Sequence, residues 1–107
     1  MAKIIWKDSA TLSLERHIDY ALSEFGRKAV KNWYKHILRI EGRMSIQPES
    51  FPPEPLLADR KRRYRSAILM KNFKLIFFYD ENADTVYIDT IWDMRMHPDK
   101  LTNTVVD

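Results

Sequence analysis

Four residues in the second half of the chain carry the side chains that phosphate chemistry requires: Arg65, Lys74, Arg95 and His97. Guanidinium and ammonium groups neutralise charge building on phosphoryl oxygens, and an imidazole titrates close enough to neutrality to carry a proton. Arg65 and Lys74 fall in two apolar runs that read as adjacent strands, and Arg95 follows a third, so the three are expected to converge on one concave patch. His97 stands in Asp93-Met94-Arg95-Met96-His97-Pro98, where a strand end exposes side chains and Pro98 stops further pairing. On spacing alone, a surface-loop role accounts for His97 slightly better than catalysis does. Just upstream, Arg60, Lys61, Arg62 and Arg63 lead into Tyr64. Such a block suits phosphates, an acidic protein segment or an anionic surface, and a solvated loop accounts for it equally well.

Other chemistries find no support. The chain has no cysteine, which excludes disulfides and thiolate metal sites and fits a reducing compartment. His17, His36 and His97 are far apart, without an HExxH pattern or clustered carboxylates, so no metal and no cofactor is expected. His17 beside Ile18 and His36 beside Ile37 read as flanking residues of two helices. Gly26 and Gly42 are the only glycines and neither follows a strand, which removes a phosphate-cradling loop. Ser66 lies mid-strand, a poor setting for a nucleophile. No apolar run approaches the ~20 residues of a membrane span, and the short apolar run in MAKIIWKDSA argues against a secretory leader. The expected location is cytoplasmic.

The elements that must position these residues follow from periodicity. Tyr64–Met70 alternates as a strand, Lys71-Asn72 reads as a hairpin turn with Asn72 able to take a positive φ, and Phe73–Tyr79 is apolar on nearly both sides, as a central strand is. Thr85–Trp92 alternates Val86, Ile88, Thr90 and Trp92 against Thr85, Tyr87, Asp89 and Ile91, completing a three-stranded antiparallel meander. Lys3–Lys7 is a short first strand. Leu14, Ile18, Ala21, Leu22 and Phe25 form a helical stripe that Gly26 ends, and Val30, Trp33, Tyr34, Ile37, Leu38 and Ile40 form a second that runs to about Gly42. Two helices so spaced form an antiparallel hairpin whose apolar faces need a sheet. Four of the five prolines (Pro48, Pro52, Pro53, Pro55) then interrupt regular structure across a loop at about 45–63. The tail Thr102–Asp107 shows no pattern and is expected to be loose. The reading is a single α+β domain over 1–107: an N-terminal strand, then an antiparallel helical hairpin packed on a small antiparallel sheet that ends in the meander.

Charge is unevenly spread. The net charge is +3, with eighteen basic and fifteen acidic residues, yet five of the basic ones are Arg60, Lys61, Arg62, Arg63 and Arg65. The remainder of the chain is slightly acidic, so the basic excess is local.

Taken in order, these features resemble the RelE/ParE superfamily of bacterial type II toxins over nearly the whole length. The resemblance rests on the first strand, the helical hairpin, the proline-bearing loop, Tyr64-Arg65, the run Phe73-Lys74-Leu75-Ile76-Phe77, and the closing segment from Trp92 to Leu101. It implies the toxin of a toxin–antitoxin, plasmid-stabilisation-like module, bound by a cognate antitoxin. Some members cut messenger RNA on the ribosome; others poison DNA gyrase without acting as nucleases. The first branch implies a metal-independent endoribonuclease with Arg65, Lys74 and Arg95 on the scissile phosphate, His97 moving protons, and Arg60, Lys61, Arg62, Arg63 and Tyr64 on RNA. Ala67 stands where a strand lysine is common in that branch, Lys74 where arginine is more usual, and Leu101 where a terminal tyrosine is expected. The ribonuclease reading leads narrowly on the three cations, and those departures keep the gyrase reading, and that of a non-toxic binding member, beside it.

Overall fold

A computed structural model describes residues 1–106. Strand β1 (Lys3–Trp6) leads into helix α1 (Asp8–Phe25) and helix α2 (Arg27–Ile46); strands β2 (Tyr64–Leu69), β3 (Phe73–Asp80) and β4 (Thr85–Asp93) follow, and helix α3 (Pro98–Thr104) closes the chain. The sheet order is β1-β4-β3-β2. The expected α+β arrangement is present, with one refinement: β1 joins β4 in parallel, so the sheet is mixed. The helical hairpin intervenes between those two strands, and a crossover of that length is what a parallel pair needs.

Gly26 alone separates the two long helices. Its φ of 87° lies where a side chain would be strained, and its N–H caps α1 by donating to the Ala21 and Leu22 carbonyls. α2 continues past Gly42 to Ile46, longer than its apolar stripe predicts. Fully buried Met44 and the Arg43 guanidinium, which bonds the Ser50 carbonyl at 2.9 Å, hold the extra turn against the weak propensity of the glycine.

The turn between β2 and β3 spans Met70, Lys71 and Asn72, and Met70, not Asn72, takes the positive φ, at 58°. In β4 the expected alternation breaks at Asp89. Ile76 faces Thr90 while Phe77 faces Ile88, so Asp89 is the extra residue of a bulge. Val86, Ile88 and Ile91 therefore point toward the hairpin, and Trp92 points to the other side. Buried Asp89 meets the Lys7 ammonium at 3.0 Å.

Both faces of the sheet are covered. Ala67, Leu69, Leu75 and Phe77 pack on α1 and α2, while Tyr64, Ile76 and Trp92 pack on Leu57, Leu101 and Val105. The second layer corrects the expectation of a loose tail: Thr102–Thr104 are helical and Val105 is fully buried, while Asp107 lies outside the described residues. The Arg60 guanidinium donates to the Thr102 and Val105 carbonyls. The proline-bearing loop is ordered as two short 3-10 turns, Pro48–Ser50 and Pro55–Leu57, each opening on a proline whose missing N–H is not needed there.

Candidate functional site

Alternation along β2 and β3 fixes where the candidate cations point. Arg65 stands opposite Phe77 and Lys74 opposite Ile68. Ile68 is three residues from Arg65, so Arg65 shares the hairpin-facing side with Ala67 and Leu69, and Lys74 shares the other side with Ile76. The sheet therefore separates the two residues expected to act together.

Each of the four candidates also has a local partner. Arg65 donates to the Phe51 carbonyl at 2.6 Å and the Glu49 carbonyl at 3.2 Å, tying the proline-bearing loop to the sheet. The Lys74 ammonium meets Glu54 Oε1 at 2.9 Å, and Glu54 is only 2% exposed. Arg95 forms a two-pronged pair with Asp93, Nε to Oδ1 and Nη2 to Oδ2, both at 3.0 Å, with its guanidinium 5.5 Å from the centre of the Phe73 ring. These hydrogen bonds from Arg95 hold the Asp93 carboxyl below the usual carboxylate range, and Asp93 in turn raises Arg95. His97 is the N-cap of α3: its Nδ1 accepts the Asp99 N–H at 3.2 Å, which leaves the ring proton on Nε2.

The basic run divides. Arg60 is committed to α3, whereas Arg62 lies over the Phe78 ring at 4.5 Å. Arg62 and Arg63 line a cleft of about 560 Å³ with Lys7, Asp80, Phe78 and Tyr87, the last two rings stacked 5.1 Å apart. Lys61 is exposed. Tyr64 is 2% exposed and packs edge-on against Phe78, so its ring belongs to the core and not to a surface for bases.

His17, expected as a flanking helix residue, lies instead against the aromatic margin of the core. It stacks on Trp33 at 5.5 Å and meets Phe73 at 4.9 Å, and burial lowers its pKa from the ordinary value. A cleft of about 460 Å³ beside it carries Ser13, Arg16, Asp93 and Lys100. The available signal was its place three residues after Leu14, at the margin of the apolar stripe.

Cleavage through a 2′-hydroxyl needs a base, a cation at phosphorus and an acid around one bond. Arg65 and Lys74 are divided by the sheet, Arg95 is paired with a carboxylate, and His97 caps a helix; the four do not form such a constellation as they stand.

No protein-family model matches the sequence, and no curated protein matches it. Among the solved structures that share its shape, two serve as examples. One belongs to the chromosomal ParDE TA system from P. aeruginosa, with a TM-score of 0.67 and 15% identity over 87% of this chain and 96% of that one. The other is a metal-bound toxin from Helicobacter pylori, with a TM-score of 0.65 and 12% identity over 89% of this chain and 97% of that one. Strand order, helical hairpin and these two likenesses together give this chain the fold of the RelE/ParE toxins.

Proposed function

We propose that this protein is the toxin of a two-component toxin–antitoxin module, kept silent by a cognate antitoxin, and that it arrests growth by binding DNA gyrase in the cytoplasm. Support for the toxin role comes from the two likenesses, which span nearly all of the chain. The observation that carries the mode of action is the division of Arg65 from Lys74 by the sheet. A protein-binding toxin does not need those side chains on one phosphate, and it is free to use such cations to hold structure, as Arg65 and Lys74 do here.

The test is the order in which synthesis stops after induction in a bacterium. Loss of thymidine incorporation before methionine incorporation, with inhibition of purified gyrase, is the expected result. Prompt loss of methionine incorporation with thymidine intact would overturn it in favour of cleavage of ribosome-bound messenger RNA. In that case the phosphate site would draw on Arg95 and His97 with one of Arg65 and Lys74 rather than both, because the sheet divides those two, and Arg62 and Arg63 would supply the flanking RNA contact. No change in either leaves a member that only binds its partner.

A further inference from the structure

Outside the basic run before and into β2 the chain is slightly acidic as a whole, and that balance conceals a second basic block. α2 carries Arg27, Lys28, Lys31, Lys35, Arg39 and Arg43 against a single acid, Glu41. All six cations are exposed. Arg27, Lys31, Lys35, Arg39 and Arg43 follow one another at intervals of four residues, so they form a continuous ridge with a cation about every 6 Å over about 24 Å of helix. Each step also turns the ridge by about 40° around the helix. It ends beside the proline-bearing loop, where the Arg43 guanidinium bonds the Ser50 carbonyl at 2.9 Å and lies 4.0 Å from the centre of the Phe51 ring.

None of the six meets a carboxylate among the described residues. Arg39 contacts His36 Nδ1 at 2.5 Å, and Arg27, Lys28, Lys31 and Lys35 make no side-chain hydrogen bond among those residues. Glu41 accepts the Trp6 indole N–H at 3.0 Å, and the neighbouring acids of α1, Glu15, Asp19 and Glu24, pair with none of the ridge. The fold is weakened by this row. Like charges four residues apart on a helix repel one another. Arg27 and Lys28 also open α2 at the positive end of its dipole, with no acid in the first turn to offset them. A polyanion laid along the ridge relieves both repulsions at once.

We propose that the α2 ridge binds the phosphate backbone of duplex DNA without regard to sequence. B-DNA carries a charge about every 1.7 Å of its axis, so a ridge about 24 Å long laid along it has a phosphate within reach of each cation. A protein partner is the poorer fit, because the centre of a protein interface is depleted in lysine, and Lys31 and Lys35 are the centre of this ridge. The choice of DNA over RNA rests on the gyrase reading: gyrase works on duplex DNA, and a toxin seated on the enzyme can hold the same duplex through α2.

The test is fluorescence anisotropy of a labelled DNA duplex of about twenty base pairs, titrated with the full chain at about 50 mM salt. Gyrase is left out, so a chain that inhibits the enzyme without binding DNA sinks this proposal alone, and one that binds DNA but spares the enzyme sinks only the gyrase reading. The expected Kd is about 10⁻⁵ to 10⁻⁶ M, with log K falling against log salt at a slope of about −4, as four or five neutralised phosphates require. The pair Lys31→Gln, Lys35→Gln, whose side chains hold nothing else, should weaken binding at least about tenfold and flatten the slope by about 2, and Lys31→Arg, Lys35→Arg should restore both. The pair Lys3→Gln, Lys100→Gln removes the same charge from β1 and α3 and should change affinity less than about threefold. No binding at about 10⁻⁴ M chain, or equal weakening by the β1 and α3 pair, would overturn the proposal. So would tighter binding of the RNA duplex of the same sequence, or displacement of the DNA by polyglutamate at equal charge, the last by identifying an acidic protein as the occupant.

Discussion

Glu54 holds Lys74 from beneath: its Oε1 lies 2.9 Å from the ammonium while its Oε2 accepts the Leu56 N–H at 2.9 Å. The carboxylate is almost wholly buried, while the lysine keeps about a fifth of its side chain exposed. This is the arrangement in which removing one partner does far more harm than the pair does good. Lys74→Met should therefore destabilise the protein by about 3 kcal/mol and lower its Tm by roughly 13 °C. The double variant Lys74→Met, Glu54→Leu should recover most of that loss, read by thermal denaturation. Lost toxicity in a Lys74 variant consequently speaks of catalysis only if Tm is unchanged.

A similar dependence fixes the C-terminal helix. α3 is seven residues long, too short to persist alone, and Arg60 holds its last carbonyls while Leu101 and Val105 enter the core. Arg60→Ala should cost about 2 kcal/mol. Amide exchange should accelerate at Leu101 and Val105 well before it changes in α1, and an unaltered exchange pattern would show that apolar burial suffices without the arginine.

How legible this was in the sequence depended on the range of the interaction. The helices, the Gly26 cap and the strand positions follow from neighbours within a few residues and stand in the structure, although Leu22, Phe25, Tyr34 and Leu38 of the two stripes are exposed. The Asp89 bulge was illegible because its cause is distant: buried Asp89 bonds Lys7, eighty-two residues away in sequence. α3 was missed because Leu101 and Val105, the residue that follows the helix, make too short a stripe to register. They matter only once Ile76 and Trp92 present a face to them. The convergence of Arg65, Lys74 and Arg95 failed for a simpler reason. Naming the face of each strand separately does not fix which faces coincide; the turn at Met70–Asn72 sets the register, and the register puts Lys74 opposite Ile68.

His17 gives the protein a dependence on mild acid. Burial lowers its folded pKa below the ordinary value of about 6.5, the nearby Arg95 and Arg16 adding to the shift against the opposing pull of Asp93. As pH falls through 6.5, the unfolded chain takes up the proton before the folded one does. The unfolded state then binds more protons, so stability rises with pH across the window between the lowered pKa and 6.5 and is lost as pH falls through it. Stability measured by urea denaturation should decline from pH 7 towards pH 5, and His17→Phe should flatten that slope while keeping the ring stacked on Trp33. A slope unchanged in His17→Phe would assign the effect to another group.

Arg95 separates the two modes of action most directly. Its side chain is 63% exposed, its guanidinium pairs with Asp93 through Nε and Nη2 alone, and among the described residues its one ring contact is Phe73. Arg95→Ala should therefore leave the fold intact, unlike substitutions of Arg65, Lys74 or Arg60, which hold a loop, a buried carboxylate and a helix. If the protein acts by binding gyrase away from this corner, growth arrest by Arg95→Ala should stay within about twofold of the parent chain. If Arg95 instead stabilises the charge on a cleaved phosphate, the loss should reach ~10²–10³ in rate, with Arg95→Lys recovering only part because a lysine cannot supply the two-pronged contact. A Tm equal to the parent's makes either outcome a statement about mechanism, which no substitution of the other cations can supply alone.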